Sequence, residues 1–222
     1  MALTLMDKGA CGYRIVVGAE ADAGTRYAAG VLAKYLEKIG GVQLPVVDDA
    51  CVPQDQEIVI GKTNRQGAPS GAQLKNDGYM LKTEGKRLFI LGQNDRGNLY
   101  GVYGLLENKL GCRFFTASLE RVPAMETVTL EELDETVIPP LEYRLTSWNE
   151  VSHNPVYAYK RGTNNLPGTP VTPMLNHSLC HTMFSYLSPD EYFDTHPEYF
   201  SMVNGVRIRE ETQLCLTNPE VK

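Results

Sequence analysis

The sequence predicts an α+β fold, a mixed sheet carrying two helices. Two observations predict it. Short apolar runs that read as strands are interleaved with two amphipathic helical stretches across residues 1–137. One of the runs, "DGYMLKTEGKRLFILG", reads as a strand hairpin, which places an antiparallel pair in the sheet. Composition fits a packed globular chain: of 222 residues, 42% are hydrophobic and 22% charged, enough for one or two domains with a core.

The elements follow in order. "YRIVVG" reads as a buried strand. In "DAGTRYAAGVLAKYLEKIGG", Ala28, Val31, Leu32, Tyr35, Leu36 and Ile39 recur at helical spacing, and Gly40 and Gly41 supply a stop. "LPVV" and "EIVIG" are short strands, and the hairpin around Glu84-Gly85 reads as having a longer-than-minimal turn. Then comes "NDRGNLYGVYGLLENKLGCRFF". Asn94 or Asp95 caps it, Leu99, Val102, Tyr103, Leu106 and Leu110 form its apolar stripe, and Gly111 ends it. Gly97, Gly101 and Gly104 lie on nearly one side of this helix. Each glycine costs about 1 kcal/mol of helix propensity relative to alanine. Their spacing therefore predicts a close approach of the helix backbone to a sheet or a second helix. "CRFF", "RVPAM" and "TVTL" read as short closing strands. "DETVIPP", polar and then broken by two prolines, reads as a domain boundary, giving domains 1–137 and 138–222.

The second part differs in character. "LEYRLTSW" reads as a strand and "NNLPGTPVTP" as a loop. In "SPDEYFDTHP", Ser188, Pro189 and Glu191 make a capping box that opens a short helix. "EYFSMVNGVRIRE" reads as a hairpin with Asn204-Gly205 as a type I′ turn. "TQLCLTNPEVK" is a strand followed by a helix start at Asn218, Pro219 and Glu220, which is expected to continue in a longer sequence.

Several function classes are excluded. A formal net charge of −6 without a Lys/Arg cluster argues against nucleic acid. No apolar run approaches the ~18 residues of a membrane span. Nucleotide binding is not expected, since no GKS, no GKT and no G-x-G-x-x-G follows a strand, and no cofactor motif is read elsewhere. The start lacks a basic region and is interrupted by Asp7 and Lys8, so it does not read as a signal peptide. Localisation stays open between cytoplasmic and secreted. The five cysteines are scattered and never spaced CxxC, so reduced thiols are expected rather than a disulfide framework or zinc ribbon.

Two stretches carry a family resemblance. "GYMLKTEGKRLFILGQNDRGNLYGVYGLLENKLGCRFF" resembles the N-terminal α+β domain preceding the catalytic barrel in family 20 glycoside hydrolases, the β-hexosaminidases, and the similar domain of α-glucuronidases. "HSLCHTMFSYLSPDEYFDTHPEYFSMVNGVRIREETQLCLTNPEV" resembles the early barrel of domain-of-unknown-function family 4838, a large bacterial family. The resemblance implies a hexosaminidase-like accessory domain followed by an incomplete (β/α)₈ barrel. It also implies the N-terminal part of a carbohydrate-active glycoside hydrolase, with the catalytic carboxylate pair lying outside this chain.

Candidate substrate-binding residues follow. Arg144 in "LEYR" matches the arginine that grips sugar hydroxyls at the first barrel strand in family 20, although "RLTSWNE" departs from the family pattern just beyond. A guanidinium fork suits a diol or a uronate; the alternative is a structural salt bridge. Trp148, the single tryptophan, can stack on a sugar or simply pack. Asn149, Glu150 and His153 follow in the expected loop at the barrel's carboxyl face. No convincing carboxylate partner for Glu150 is present. His177 and His181 sit four apart and either line the sugar cleft or, in a metal-dependent hydrolase, bind zinc. The glutamate of H-E-x-x-H is replaced by Ser178, and His196 and Cys215 are third ligands by chemistry alone. No metal is therefore assigned. A non-catalytic carbohydrate-binding or structural module is the remaining alternative. Oligomeric state is not read.

Overall fold

The computed structural model describes residues 2–174, 182–210 and 212–221. They fall into two compact units, Met1–Met174 and Leu175–Lys222.

In the first unit the chain runs β1 (Leu3–Asp7), β2 (Arg14–Val17), α1 (Ala23–Gly40), β3 (Val46–Asp48), β4 (Glu57–Ile60), β5 (Tyr79–Glu84), β6 (Arg87–Gly92) and α2 (Asp95–Asn108). It continues through β7 (Arg113–Phe114), β8 (Glu120–Arg121), β9 (Thr127–Leu130), β10 (Asp134–Val137), α3 (Asn149–Ser152) and α4 (Pro155–Lys160). Six strands form one mixed sheet in the order β10-β5-β6-β4-β2-β3. β3, β2, β4 and β6 are parallel, while β5 is antiparallel to both its neighbours. The expected mixed sheet with two main helices is thus present.

The side-chain period of two in a strand explains the layers. Ile15 and Val17 of β2, Ile58 and Ile60 of β4, and Leu88 and Ile90 of β6 join the helices in the main core. Val16, Val59 and Phe89 form a small cluster of their own, with Val47 against it. Helix α1 buries Ala28, Ala29, Leu32, Tyr35, Leu36 and Ile39, the expected stripe apart from Val31, which is half-buried. Asp22 caps its start, accepting from Thr25 N, and Gly41 ends it at φ 73° with its N–H on Glu37 O. Asn94 caps α2 through Gly97 N, and Cys112, with its side chain fully buried, follows the helix.

The α2 glycines make the predicted close approach to the sheet. A Cβ on Gly97 would lie 2.7 Å from Gly78 O. One on Gly101 would lie 2.6 Å from Ile90 Cγ2, and one on Gly104 would strike the Tyr79 hydroxyl. The helix therefore carries a notch that seats the β5–β6 hairpin.

Three local expectations are corrected, and one strand is added. The β5–β6 turn is minimal: Glu84 pairs with Arg87, leaving Gly85 and Lys86 between, with Gly85 at φ 60°. "DETVIPP" is not a linker at its start, because Asp134–Val137 is the edge strand β10, paired on β5. The added strand is β1, which was not read in the sequence and which pairs antiparallel with β9. Residues 141–148, expected as a first barrel strand, pair with no strand among the described residues. They begin instead a strap of irregular chain and short helices, residues 141–174, that packs Val151, Tyr157, Ala158, Tyr159 and Val171 into the main core. The expected boundary at 137/138 thus falls inside the first compact unit.

The second unit contains α5 (Pro189–Tyr192), β11 (Met202–Val203) and β12 (Val206–Arg207), with 3₁₀ turns. The hairpin has the expected turn: Asn204 and Gly205 both hold positive φ, 52° and 80°. Ser188 caps α5, but through Asp190 N rather than the residue a capping box uses. "TQLCL" contributes a single bridge, Phe200 to Leu214, rather than a strand. Phe184 and Phe193 pack on Phe200, which is fully buried. The short helix start at Asn218 is present, its side chain accepting from Glu220 N at 3.0 Å.

Candidate functional site

Arg144 is held by the first unit itself. Asp77 closes an Asn-Asp-Gly turn in which Asn76 and Asp77 both have positive φ, 55° and 61°. This buries the Asp77 carboxylate at 3% exposure. Its Oδ1 accepts from Asn94 Nδ2 at 2.9 Å and Arg96 Nε at 2.9 Å. Its Oδ2 accepts from Arg144 Nη2 at 2.9 Å and Asn164 Nδ2 at 2.8 Å. Burial alone would raise this carboxyl; the hydrogen bonds from Arg96, Asn164 and Asn94 outweigh it and hold it below the usual range. The remaining Arg144 nitrogens donate to Gly162 O at 2.6 Å and to Leu141 O at 2.8 Å, and the guanidinium lies over the Tyr100 ring. With its fork engaged on protein, Arg144 answers to the salt-bridge alternative rather than to a sugar grip.

Trp148, Asn149 and Glu150 are placed differently. Trp148 precedes α3 and its side chain is 70% exposed. Asn149 is also exposed. Glu150 Oε1 accepts from Ala117 N at 2.7 Å, which ties α3 to the turn between β7 and β8. That turn holds Phe115, also exposed, whose carbonyl accepts from Tyr157 Oη at 2.7 Å. Two aromatic side chains therefore face solvent from segments pinned to one another. His153 Nδ1 lies 2.9 Å from Asn149 O and 3.0 Å from Ser152 Oγ, a local helix-end arrangement. His177 and His181 lie outside the described residues. Among the described residues no three His, Cys, Asp or Glu side chains gather as a metal site. His196 stacks on Tyr199 and pairs with Glu198 at 3.1 Å.

Sequence reasoning missed the groups that anchor the strap. Lys160 of α4 donates to Glu120 Oε2 at 3.0 Å and to Tyr35 Oη at 2.9 Å, and Lys38 donates to Glu120 Oε1 at 2.7 Å. Burial pushes Glu120 up, but Lys38, Tyr35 and Lys160 bring it down to about 2. "NDG" signals a turn, yet nothing in that tripeptide reveals which donors will reach its carboxylate.

A cavity of about 330 Å³ also opens in this unit, walled by tyrosines 79, 100, 103 and 159 and edged by Glu107, Asn108 and Arg161. No helix among the described residues is long and apolar enough to cross a membrane.

Residues 10–105 match the glycosyl hydrolase family 67 N-terminus, and residues 114–222 match a domain of unknown function, DUF4838. The two matches lie in succession along the chain. The family 67 match spans β2 through most of α2, and the DUF4838 match takes in the strap and the second unit. No curated protein matches the chain. Similar solved structures include the GH20 β-N-acetylhexosaminidase from Streptomyces coelicolor A3(2), at 18% identity and TM-score 0.47, covering 74% of this chain and 31% of that one. A novel family GH115 4-O-methyl-α-glucuronidase is similar at 16% identity and TM-score 0.43, covering 64% of this chain and 19% of that one. A mutant Streptomyces plicatus β-hexosaminidase in complex with product (GlcNAc) is similar at 15% and TM-score 0.43, covering 64% and 24%. The chain thus spans less than a third of the length of these proteins.

Proposed function

We propose that this chain is the N-terminal part of a carbohydrate-active glycoside hydrolase acting on polysaccharide or glycan. The observation that carries this reading is the family 67 N-terminal match over residues 10–105, followed directly by the DUF4838 match. In this reading residues 138–222 lead into a (β/α)₈-type barrel, for which the support is the resemblance alone. Sugar contact on this chain falls to Trp148, Asn149 and Glu150. Trp148 offers an exposed indole face for a pyranose, and Asn149 offers an amide to its hydroxyls. His177 and His181 remain proposed cleft residues on sequence grounds. Chemistry needs two carboxyl groups across the scissile bond. Glu150 has one oxygen engaged by Ala117 N, and no partner carboxylate is assigned to it.

The 1–222 chain is therefore expected to be inactive on aryl β-hexosaminides and aldouronic acids while binding oligosaccharide through Trp148. Calorimetric titration with xylan and hexosamine oligomers tests binding, and chromogenic release tests turnover. Turnover abolished by Glu150→Gln would overturn the placement of the acids outside this chain. Binding unchanged in Trp148→Ala would remove Trp148 from the sugar surface.

A further inference from the structure

We propose that the tyrosine-walled cavity beneath the strap is a second ligand site, built for a neutral, hydroxyl-rich molecule of monosaccharide size. The inference does not depend on the activity proposed above, because it stands on a different place in the fold.

The cavity lies where the α2 notch, β5 and the strap meet. At about 330 Å³ it is at the lower end of the ~300–1,000 Å³ typical of small-molecule sites. Its decisive group is Tyr79. The residue is 7% exposed, and a phenol that deeply placed normally finds a partner. Among the described residues nothing hydrogen-bonds the Tyr79 hydroxyl. Nor is it among the sealed, unpartnered oxygens, which are Thr163 Oγ1 and Asn165 Oδ1. The hydroxyl therefore faces the open space that Tyr79 lines. The Gly104 notch makes this possible, because any Cβ there would strike the hydroxyl.

The walls specify the ligand. Tyr100 and Tyr159 have their own hydroxyls committed, to Thr163 O at 2.7 Å and Leu166 O at 3.2 Å, so they contribute ring surface rather than polar contacts. Each basic group at the rim is already held by a carboxylate, although Asp77 also serves Arg96 and Glu120 also serves Lys38. Arg161 Nη1 pairs with Glu107 Oε1 at 3.3 Å, Arg144 with Asp77, and Lys160 with Glu120. With each rim cation already hydrogen-bonded to a carboxylate, an incoming anion would have to compete with these ion pairs. What remains available is a phenol that donates and accepts, the second Glu107 oxygen, the Asn108 amide and the free Arg161 nitrogens. Alternating donors and acceptors around aromatic walls fit the hydroxyls and C–H faces of a small sugar or polyol.

The test uses the full 1–222 chain and ligand-observed NMR with glucose, galactose, xylose and N-acetylglucosamine, with glucuronate and inorganic phosphate as anionic probes. At least one neutral sugar is expected to bind at millimolar concentration and in preference to the anions. Tyr79→Phe is expected to weaken binding by about tenfold or more, the loss of one buried hydrogen bond. Its melting temperature should stay unchanged or rise, since the hydroxyl bonds nothing in the protein. Asn108→Ala, at an exposed helix end, should weaken binding with the fold intact. Three results would overturn the proposal: no neutral sugar bound, glucuronate or phosphate preferred, or wild-type affinity in Tyr79→Phe. Binding lost in Trp148→Ala but kept in Tyr79→Phe would place the ligand on the Trp148 surface and also overturn it.

Discussion

Gly101 and Tyr79 form one contact seen from two sides. The glycine exists so that the β5 tyrosine and Ile90 can lie against the helix backbone, with Tyr79 Cβ 3.4 Å from where a Gly101 Cβ would be. Gly101→Leu should therefore destabilise the first unit by about 1–3 kcal/mol or more through overpacking, partly offset by improved helix propensity. Chemical denaturation of the variant checks it. Wild-type stability would mean that this face of α2 is loosely packed. This close approach was legible in the sequence because glycines at helical spacing have few other uses in a helix interior. Asp77 was not legible. Its role depends on Asn94, Arg96, Arg144 and Asn164, which reach it from 17 to 87 positions away. Arg144 was read as meeting either a sugar or a carboxylate; in the fold its guanidinium lies on Asp77, a partner 67 positions away that no local pattern in the sequence marks.

At the scale of elements, the parallel strands and both long helices could be read from apolar periodicity. Their burial follows from side-chain spacing alone. The strap could not. Residues 141–174 carry no long periodic run, and they are held by scattered tertiary contacts. Arg144 meets Asp77, Lys160 meets Glu120, Tyr100 Oη donates to Thr163 O and Thr172 N donates to Asp95 Oδ2. Removing the strap would strip partners from two buried carboxylates and uncover apolar core. Residues 1–174 are accordingly expected to melt in one cooperative transition. A 1–137 fragment should melt lower, with a broadened transition and dye binding of the molten kind. Equal cooperativity in the two fragments would make the strap an accessory rather than a part of the unit.

Taken as a whole, the first unit is tied together by carboxylates held below their ordinary range. Glu120 is the clearest, at about 2 against an ordinary 4.5. A carboxylate depressed in the folded state contributes stability above its unfolded value, and that contribution is lost as pH falls toward the folded one. Melting temperature should therefore decline between about pH 4.5 and 2. Glu120→Gln should be less stable at neutral pH and show a shallower decline. A parallel decline in the variant would assign the acid sensitivity elsewhere, with Asp77 and Glu57, both also depressed, the next groups to replace.

The burial of Cys112 has a consequence for following such changes. Burial pushes its thiol up to about 11, and none of its surface is exposed, whereas Cys11, Cys51 and Cys215 are partly exposed. A thiol-alkylating reagent needs both access and a thiolate, and Cys112 in the native state offers neither. Its modification therefore proceeds only through molecules whose α2 end has come away from the core. The pace at which a mass-labelled alkylating agent accumulates on this one sulfur is a clock for rare opening of the interior, running under fully native conditions without denaturant.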